Sequence, residues 1–415
     1  MLLKIAWRNI WRSKTRSIVV ILSVAIGVWA LSFVLSFSNG ITYTFIQNAI
    51  RNQYSHIQIH NPKFPEDKNS KYFIENKSGV LEKLREIPEI EAVTSRIISN
   101  GMVSSSRGAR GVQIMGIDPE HEIPVTHFDK HLTEGDYFSA GKTNQILISE
   151  RIAEKLKVKL RSRIVLTFQN MDGDITAAAF RVVGLFNTGN MITDESVVYV
   201  VDEDLKKNLI PELNDSSDVN YPTDIAHEIA IYLKDSKNVT AIKDQLKNIF
   251  PNELVQDYWE LSPDVELYET QIETSNSIIT VIFMLALIFG IINTMLMAVL
   301  ERYKELGMLM AIGLNKVKIF SMIVLETLML ASVAAPIGLI ASFITVYLLQ
   351  DKGIDLSSFA KGLERFGMET TIFPVLDFGQ YARIAFAVFI TALLASIYPA
   401  RKAVKLKPVE ALHKI

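Results

Sequence analysis

The chain has 415 residues, 49% of them apolar and 21% charged, with a formal net charge of −2. That balance is too apolar for an ordinary soluble protein and too charged for a chain buried wholly in lipid, so a mosaic of membrane spans and an aqueous domain is expected. The chain has no cysteine, which excludes disulfides, thiolate nucleophiles and thiolate metal sites.

The first segment reads as a two-faced helix. Leu3, Trp7, Ile10 and Trp11 cluster on one side, and Lys4, Arg8, Arg12 and Arg16 follow at i, i+4 spacing beside them. Tryptophan and basic residues together suit the headgroup region of a cytoplasmic leaflet, and the alternative is a topology signal only. From Ser17 to Gly40 there is no charge, and about 20 apolar residues suffice to cross about 30 Å of hydrocarbon. A secretory leader would have a shorter apolar core and a small-residue cleavage site, so a retained anchor is expected. Ser23 and Gly27 form a small-xxx-small pair at which another helix can approach closely. Past Gly40, Tyr43, Phe45, Ile46, Ala49 and Ile50 keep the helical pattern going.

An aqueous α+β domain is expected over 41–273. Strand-like alternation occurs at Ser55–His60, Val93–Ser99, Gly111–Ile117 and Gln145–Ser149, and further on at Ile164–Gln169, Ala178–Leu185 and Ser196–Val201. Helices are expected near Ser78–Arg85, Ser149–Lys157 and Asn238–Phe250, and Asp172-Gly173 marks a hairpin turn. Three pieces of apparent chemistry are set aside. Gly141-Lys142-Thr143 has Asp136 where a phosphate loop requires glycine, so it reads as a turn. His121, His127 and His131 have the look of solvated loop histidines rather than a metal set. Ser358 and Lys361 resemble a serine–lysine nucleophile motif only at chance level.

Ser262-Pro263-Asp264 makes a good helix start, with a capping serine, proline at the first position and an acid in the first turn. Only Gly290 punctuates the stretch from there to Glu301. A helix of about 38 residues would reach about 57 Å, nearly twice the hydrocarbon thickness. Such a rod would stand out of the membrane as a stalk; the alternative is a break near Thr274, giving two helices that need not move together. Spans two and three are Thr274–Leu300 and Ile319–Gln350, with a short loop between. The third holds Glu326, roughly 12 Å past its basic mouth, and Pro336, which removes one backbone bond and is expected to kink it. An intramembrane carboxylate faces protein or water, so Glu326 is expected to pair with a base such as Arg383 or a cytoplasmic lysine, or to sit near the interface. The 351–380 loop is short, and span four runs from about Ile384 to Ala400. Basic residues flank the spans at 1–16, at Arg302, Lys304, Lys316 and Lys318, and at Arg401, Lys402, Lys405, Lys407 and Lys414. Both termini and the middle loop are therefore expected in the cytoplasm.

The loop Glu301-Arg302-Tyr303-Lys304-Glu305-Leu306-Gly307-Met308-Leu309-Met310-Ala311-Ile312-Gly313 resembles the signature of FtsX-like permeases, the ABC transporter subunits that include lipoprotein releasers and macrolide exporters. Ala6-Trp7-Arg8-Asn9-Ile10 and Pro399-Ala400-Arg401-Lys402-Ala403, followed by Pro408, Ala411 and Leu412, resemble that family's termini. Glu326 and Gly338 match its third span, and Leu132–Phe138 with Ile146–Leu156 resemble its outer domain. Where the family continues with a Gly-Asp turn, this chain has Arg161-Ser162.

The resemblance implies a helical membrane protein with four transmembrane helices and one large α+β extracytoplasmic domain between helices 1 and 2. Its parts would be 1–40, 41–273, 274–350 with a coupling helix near 301–316, 351–380, and 381–415. It also implies a non-catalytic subunit of the bacterial inner membrane, paired with a second permease (the same chain or a paralogue) and two cytoplasmic ATPase subunits. ATP and magnesium would be held by the ATPase and no cofactor by this chain. Glu301, Arg302 and Glu305 would seat the coupling helix, which also holds Ala311, with Gly307 and Gly313 allowing tight turns or close contact. A lipoprotein substrate and membrane lipid are the expected partners; nucleic acid is not.

Overall fold

The computed structural model describes residues 14–210, 222–363 and 370–405, together with Trp7, Arg8 and Ile10. The expectations placed on Leu3, Lys4, Trp11, Arg12, Lys407, Pro408, Ala411, Leu412 and Lys414 lie outside the described residues. The chain divides into two compact units, one of Met1–Tyr43, Glu269–Asp355 and Thr371–Ile415, the other of Thr44–Tyr268 and Leu356–Thr370.

Four helices are long and apolar enough to cross a membrane: Lys14–Ala49, Pro263–Glu301, Lys316–Gln350 and Phe378–Val404. Each turns one stripe inward, and Val28, Leu31, Ile291, Ile323, Ala334 and Ala392 meet in the core of the first unit. Their outer faces carry exposed Leu22, Ile26, Leu285, Phe289, Ile340 and Phe386. Apolar surface on this scale would drive aggregation in water, and lipid is the solvent that suits it. The helix Pro263–Glu301 is a single uninterrupted α-helix of 39 residues, so the alternative of a break near Thr274 falls away. The helix Lys316–Gln350 likewise runs on through Pro336. The fourth helix starts at a capping box, in which the Asp377 side chain accepts from the first-turn backbone and Gln380 reaches back to the Asp377 N–H.

The second unit is built on a ten-stranded sheet. Its strands are β1 (Ile57–His60), β2 (Ile90–Ser105), β3 (Gly108–Ile117), β4 (Leu132–Gly135), β5 (Gln145–Ser149), β6 (Arg163–Gln169), β7 (Ile175–Phe186), β8 (Val197–Val201), β9 (Glu228–Leu233) and β10 (Leu254–Asp257). They lie in the order β10-β1-β9-β2-β3-β8-β5-β7-β4, with β6 bridging β2 and β7. The pairs β3–β8 and β5–β7 are parallel and the others antiparallel, the mixed pattern of an α+β domain. All the strands expected from alternation are present. β4, β9 and β10 escape that reading; β4 and β10 are only four residues long, and in β9 every residue is buried, so no in–out alternation marks it.

β2 is long enough to serve two cores. Its start pairs with β9 beside the cluster of Ile59, Leu84, Ile231 and Leu246, and its end pairs with β3 and β6 beside Ile114, Ile146, Leu166 and Phe180. The β6–β7 hairpin closes at Gly173, whose φ of +97° suits the turn. At the departure from the family pattern the turn persists: Arg161 takes φ +66°, and the Ser162 N–H donates to the Lys159 carbonyl at 3.0 Å. Within this unit the helices also pair, with the Phe45 and Tyr268 rings 4.5 Å apart.

Candidate functional site

A short strap joins the second and third membrane helices. The second helix ends at Glu301, Arg302 alone intervenes, and a new helix runs Tyr303–Ala311. That helix stops because Gly313 takes φ +98°, and the Leu314 N–H reaches back to the Leu309 carbonyl at 3.0 Å, a Schellman-type ending. Asn315 then caps the third helix through Val317 N–H. Gly313 has open space around it, so its conformation and not close contact is what requires glycine.

The strap is anchored inward by apolar contacts, in which Met310 and Leu314 join Leu306 on the core, and by an ionic one. Leu306 is buried in the core of the membrane unit, and Gly307 is buried beside it. The Arg302 guanidinium donates to both oxygens of Glu326, at 3.3 and 3.2 Å, and to Glu305 at 3.3 Å through Nε. The cation seen on Glu326 is thus Arg302, where Arg383 or a cytoplasmic lysine was expected. Its partner lies 24 residues earlier in the chain, brought over it by the chain reversal at the strap. Glu326 is 5% exposed; a carboxylate so placed needs a fixed cation, and a delocalised guanidinium suits that role better than an ammonium. Arg302, Glu305 and Glu326 thus come together, while Ala311 and Gly313 lie at the far end of the strap, exposed. Met308, Ile312 and Val317 also face outward there, with Ile312 78% exposed. This outer face is therefore apolar, with the charges of Glu301 and Lys304 exposed beside it.

The helix-packing residues fall where small side chains are needed. A Cβ on Gly27 would lie 2.7 Å from Leu287 of the second helix, and Gly290 stands 4.0 Å from Ser23 Oγ by the same measure. Gly338 of the third helix lies against the first, where a Cβ would be 2.5 Å from the Ala25 carbonyl oxygen. Pro336 is exposed. Asn39 ties three helices, donating to Gln380 at 2.9 Å and accepting from Asn276 at 3.2 Å.

The second unit holds a buried ionic triad that the sequence did not disclose. Arg96 on β2 donates to Glu122 and Glu228, each at 2.6 Å, and Thr94 completes Glu122 at 3.0 Å. Burial works against the charge on Arg96, but the two carboxylates outweigh it and hold the guanidinium firmly protonated. Nearby, His227 accepts the Ile98 N–H at Nδ1 and faces the Ser70 carbonyl from Nε2, which fixes a neutral ring. Burial pushes its pKa down to about 4. His56 accepts the Leu233 N–H and is held at about 4 by burial and by Arg51. His121 pairs with Asp118 at 2.8 Å, and Gly141 with φ +76° occupies a turn. A cavity of 770 Å³ lies on the sheet face above the triad.

Comparison with known proteins gives two family matches that together span most of the chain. Residues 17–249 match the MacB-like periplasmic core domain and 277–408 the FtsX-like permease C-terminal domain. The lipoprotein-releasing system transmembrane protein LolC of Neisseria meningitidis is 25% identical over 96% of this chain and 94% of its own length. The pyoverdine export ATP-binding/permease protein PvdT of Pseudomonas syringae is 24% identical over 99% of this chain, and the macrolide export ATP-binding/permease protein MacB of Campylobacter jejuni 23% over 99%. The chain spans 59% and 61% of the length of those two proteins.

Proposed function

Since the chain belongs to the FtsX-like permeases of ABC transporters, we propose that it carries the motion of a cytoplasmic ATPase to its own extracytoplasmic domain, and that the work done there is release of lipoproteins from the inner membrane. The observation that carries the mechanical part is the unbroken helix Pro263–Glu301, which leads directly into the strap. At 39 residues it is about 58 Å long, far beyond the roughly 30 Å that a span requires. Both termini and the strap face the cytoplasm in this reading, following the basic residues that flank the spans.

Met308, Ile312 and Val317 on the outer face of the strap would form the apolar seat for the ATPase, with Glu301 and Lys304 at its rim. Arg302 and Glu305 would act from behind, holding the strap to Glu326 so that a push on the seat moves the helices and not the loop alone. Two such chains, or one with a paralogue, would work with two ATPase subunits that hold ATP and magnesium. The lipoprotein reading is supported by the near end-to-end match with the Neisseria relative. Export of peptides, antibiotics or lipids is the second reading, favoured by the matches to the pyoverdine-export and macrolide-export proteins.

Purification in mild detergent is expected to bring down an ATPase bound to this chain; its consistent absence overturns the transmission role. Depletion of the chain separates the two substrates. Acylated lipoproteins accumulating in the inner membrane is the expected result, and normal sorting rejects the lipoprotein role.

A further inference from the structure

The cavity on the sheet face of the second unit has a floor that is polar in a regular way. Gln58 on β1 stands opposite Gln256 on β10, and His60 opposite Glu228 on β9. Glu228 stands opposite Arg96 on β2, and further along β2 Asn100 stands opposite Gln113 on β3. The stripe ends at Met115, opposite Tyr199 of β8. It crosses six neighbouring strands, about 24 Å at the usual spacing of about 4.8 Å.

The charges on this floor are spent on one another. Both forks of Arg96 are taken by Glu122 and Glu228. Over the lining as a whole the two cations Lys68 and Arg96 are matched in number by the two carboxylates Glu228 and Glu260, the latter held by Lys243 at 3.0 Å. The amides are not spent: among the described residues Asn100 and Gln113 make no side-chain hydrogen bond, and Gln256 Oε1 is buried without a partner. Thr193, 3% exposed and lining the same cavity, also has an Oγ1 with no partner. A buried hydroxyl or amide oxygen left unpaired is costly, and a polar ligand relieves that cost.

The chemistry narrows the ligand. A balanced charge argues against a polyanion or a polycation. The polar stripe argues against an acyl chain. A sugar ring needs an open aromatic face, but of the three lining aromatics Phe64 and Tyr199 are 3% and 4% exposed, with their rings packed on His60 and on Phe128, which leaves only the half-buried Tyr54. Amide side chains present one donor and one acceptor side by side, the complement of a peptide group. At about 3.3 Å per residue an extended strand of about seven residues would match the stripe. We propose that this groove binds an extended, uncharged peptide segment through the amides of Asn100, Gln113 and Gln256 and the hydroxyl of Thr193.

Gly111 provides the means to test it. It lines the cavity two residues before Gln113, and a Cβ there would meet nothing within 4 Å. A large side chain at this position fills the groove without straining the strand. The full chain in detergent is titrated against a fluorescein-labelled, end-capped serine–valine peptide, and anisotropy is read. Binding by the chain alone needs no ATPase, so the outcome is independent of the transmission role. Saturable binding is expected, lost in Gly111→Trp and weakened about tenfold in Asn100→Leu/Gln113→Leu, which removes two hydrogen bonds. Thermal midpoints of both variants should match the parent. Absence of saturable binding, equal binding by the double variant, or displacement by maltoheptaose but not by unlabelled peptide would overturn the proposal.

Discussion

Removing either partner of the Arg302–Glu326 pair should destabilise the membrane unit, and unequally. The carboxylate is 6% exposed at its side chain and the guanidinium 17%. Breaking a buried pair from one side costs about 3–5 kcal/mol, because the survivor is left charged and unpaired. Arg302→Met takes the guanidinium from the more deeply buried group, so about 3 kcal/mol is expected. Glu326→Leu strands the group nearer water, which still has Glu305 at 3.3 Å, so about 2 kcal/mol is expected. The double variant removes both charges of the pair, and its cost should fall at least about 2 kcal/mol below the sum. Denaturant titration of the four chains in detergent, followed by circular dichroism, gives the cycle. Additive costs would show that the two groups do not act as a pair, and the anchoring of the strap would then have to rest on its apolar contacts, Leu306 among them.

Gly338→Ala should cost roughly 1–3 kcal/mol, since the new methyl meets the Ala25 carbonyl oxygen, which belongs to backbone and cannot yield. Gly290→Ala, with its nearest neighbour at 4.0 Å, is the matched control and should be tolerated; equal effects in a thermal scan would contradict the packing. Acidification should unfold the second unit through its histidines. His56 and His227 have folded pKa values of about 4 against about 6.5 unfolded, so the unfolded state takes up more protons between those limits and stability falls as pH drops through them. Between pH 8 and pH 5 the two together should lose about 4 kcal/mol, read by denaturant titration; a flat profile, or the same loss in His56→Gln/His227→Gln, would refute it. Arg161→Gly should raise stability by up to about 1 kcal/mol, because the left-handed conformation costs a side-chain-bearing residue and costs glycine nothing; a fall in the melting midpoint would mean that the arginine side chain stabilises the turn.

The parts of the fold that could be read from the chain were those written in contiguous residues. The stretch Ser17–Gly40 announces a span because no charge interrupts it, and Ser149 announces a helix because its hydroxyl takes the Ile152 N–H. β9 was missed for a physical reason: a strand buried on both faces has no alternation to show, and its leading Glu228 looks like surface until Arg96 is placed against it. The site behaves in the same way. Glu326 was visible as an anomaly in an apolar span, but its partner was not, because chain reversal and not spacing brings Arg302 to it. The groove was invisible, since its amides come from strands scattered over about 200 positions of the chain and become a stripe only through register.

The lever itself is tested most directly by a hinge placed in the helix Pro263–Glu301. Thr274 is exposed, and its hydroxyl donates to the Thr270 carbonyl one turn back. Thr274→Pro removes a backbone bond there and kinks the rod, while Thr274→Ala leaves it straight. With the partner ATPase bound, the quantity to measure is lipoprotein released per ATP hydrolysed. Transmission through a rigid rod predicts continued hydrolysis with release lost in Thr274→Pro and kept in Thr274→Ala. Undiminished release from the kinked chain would contradict it.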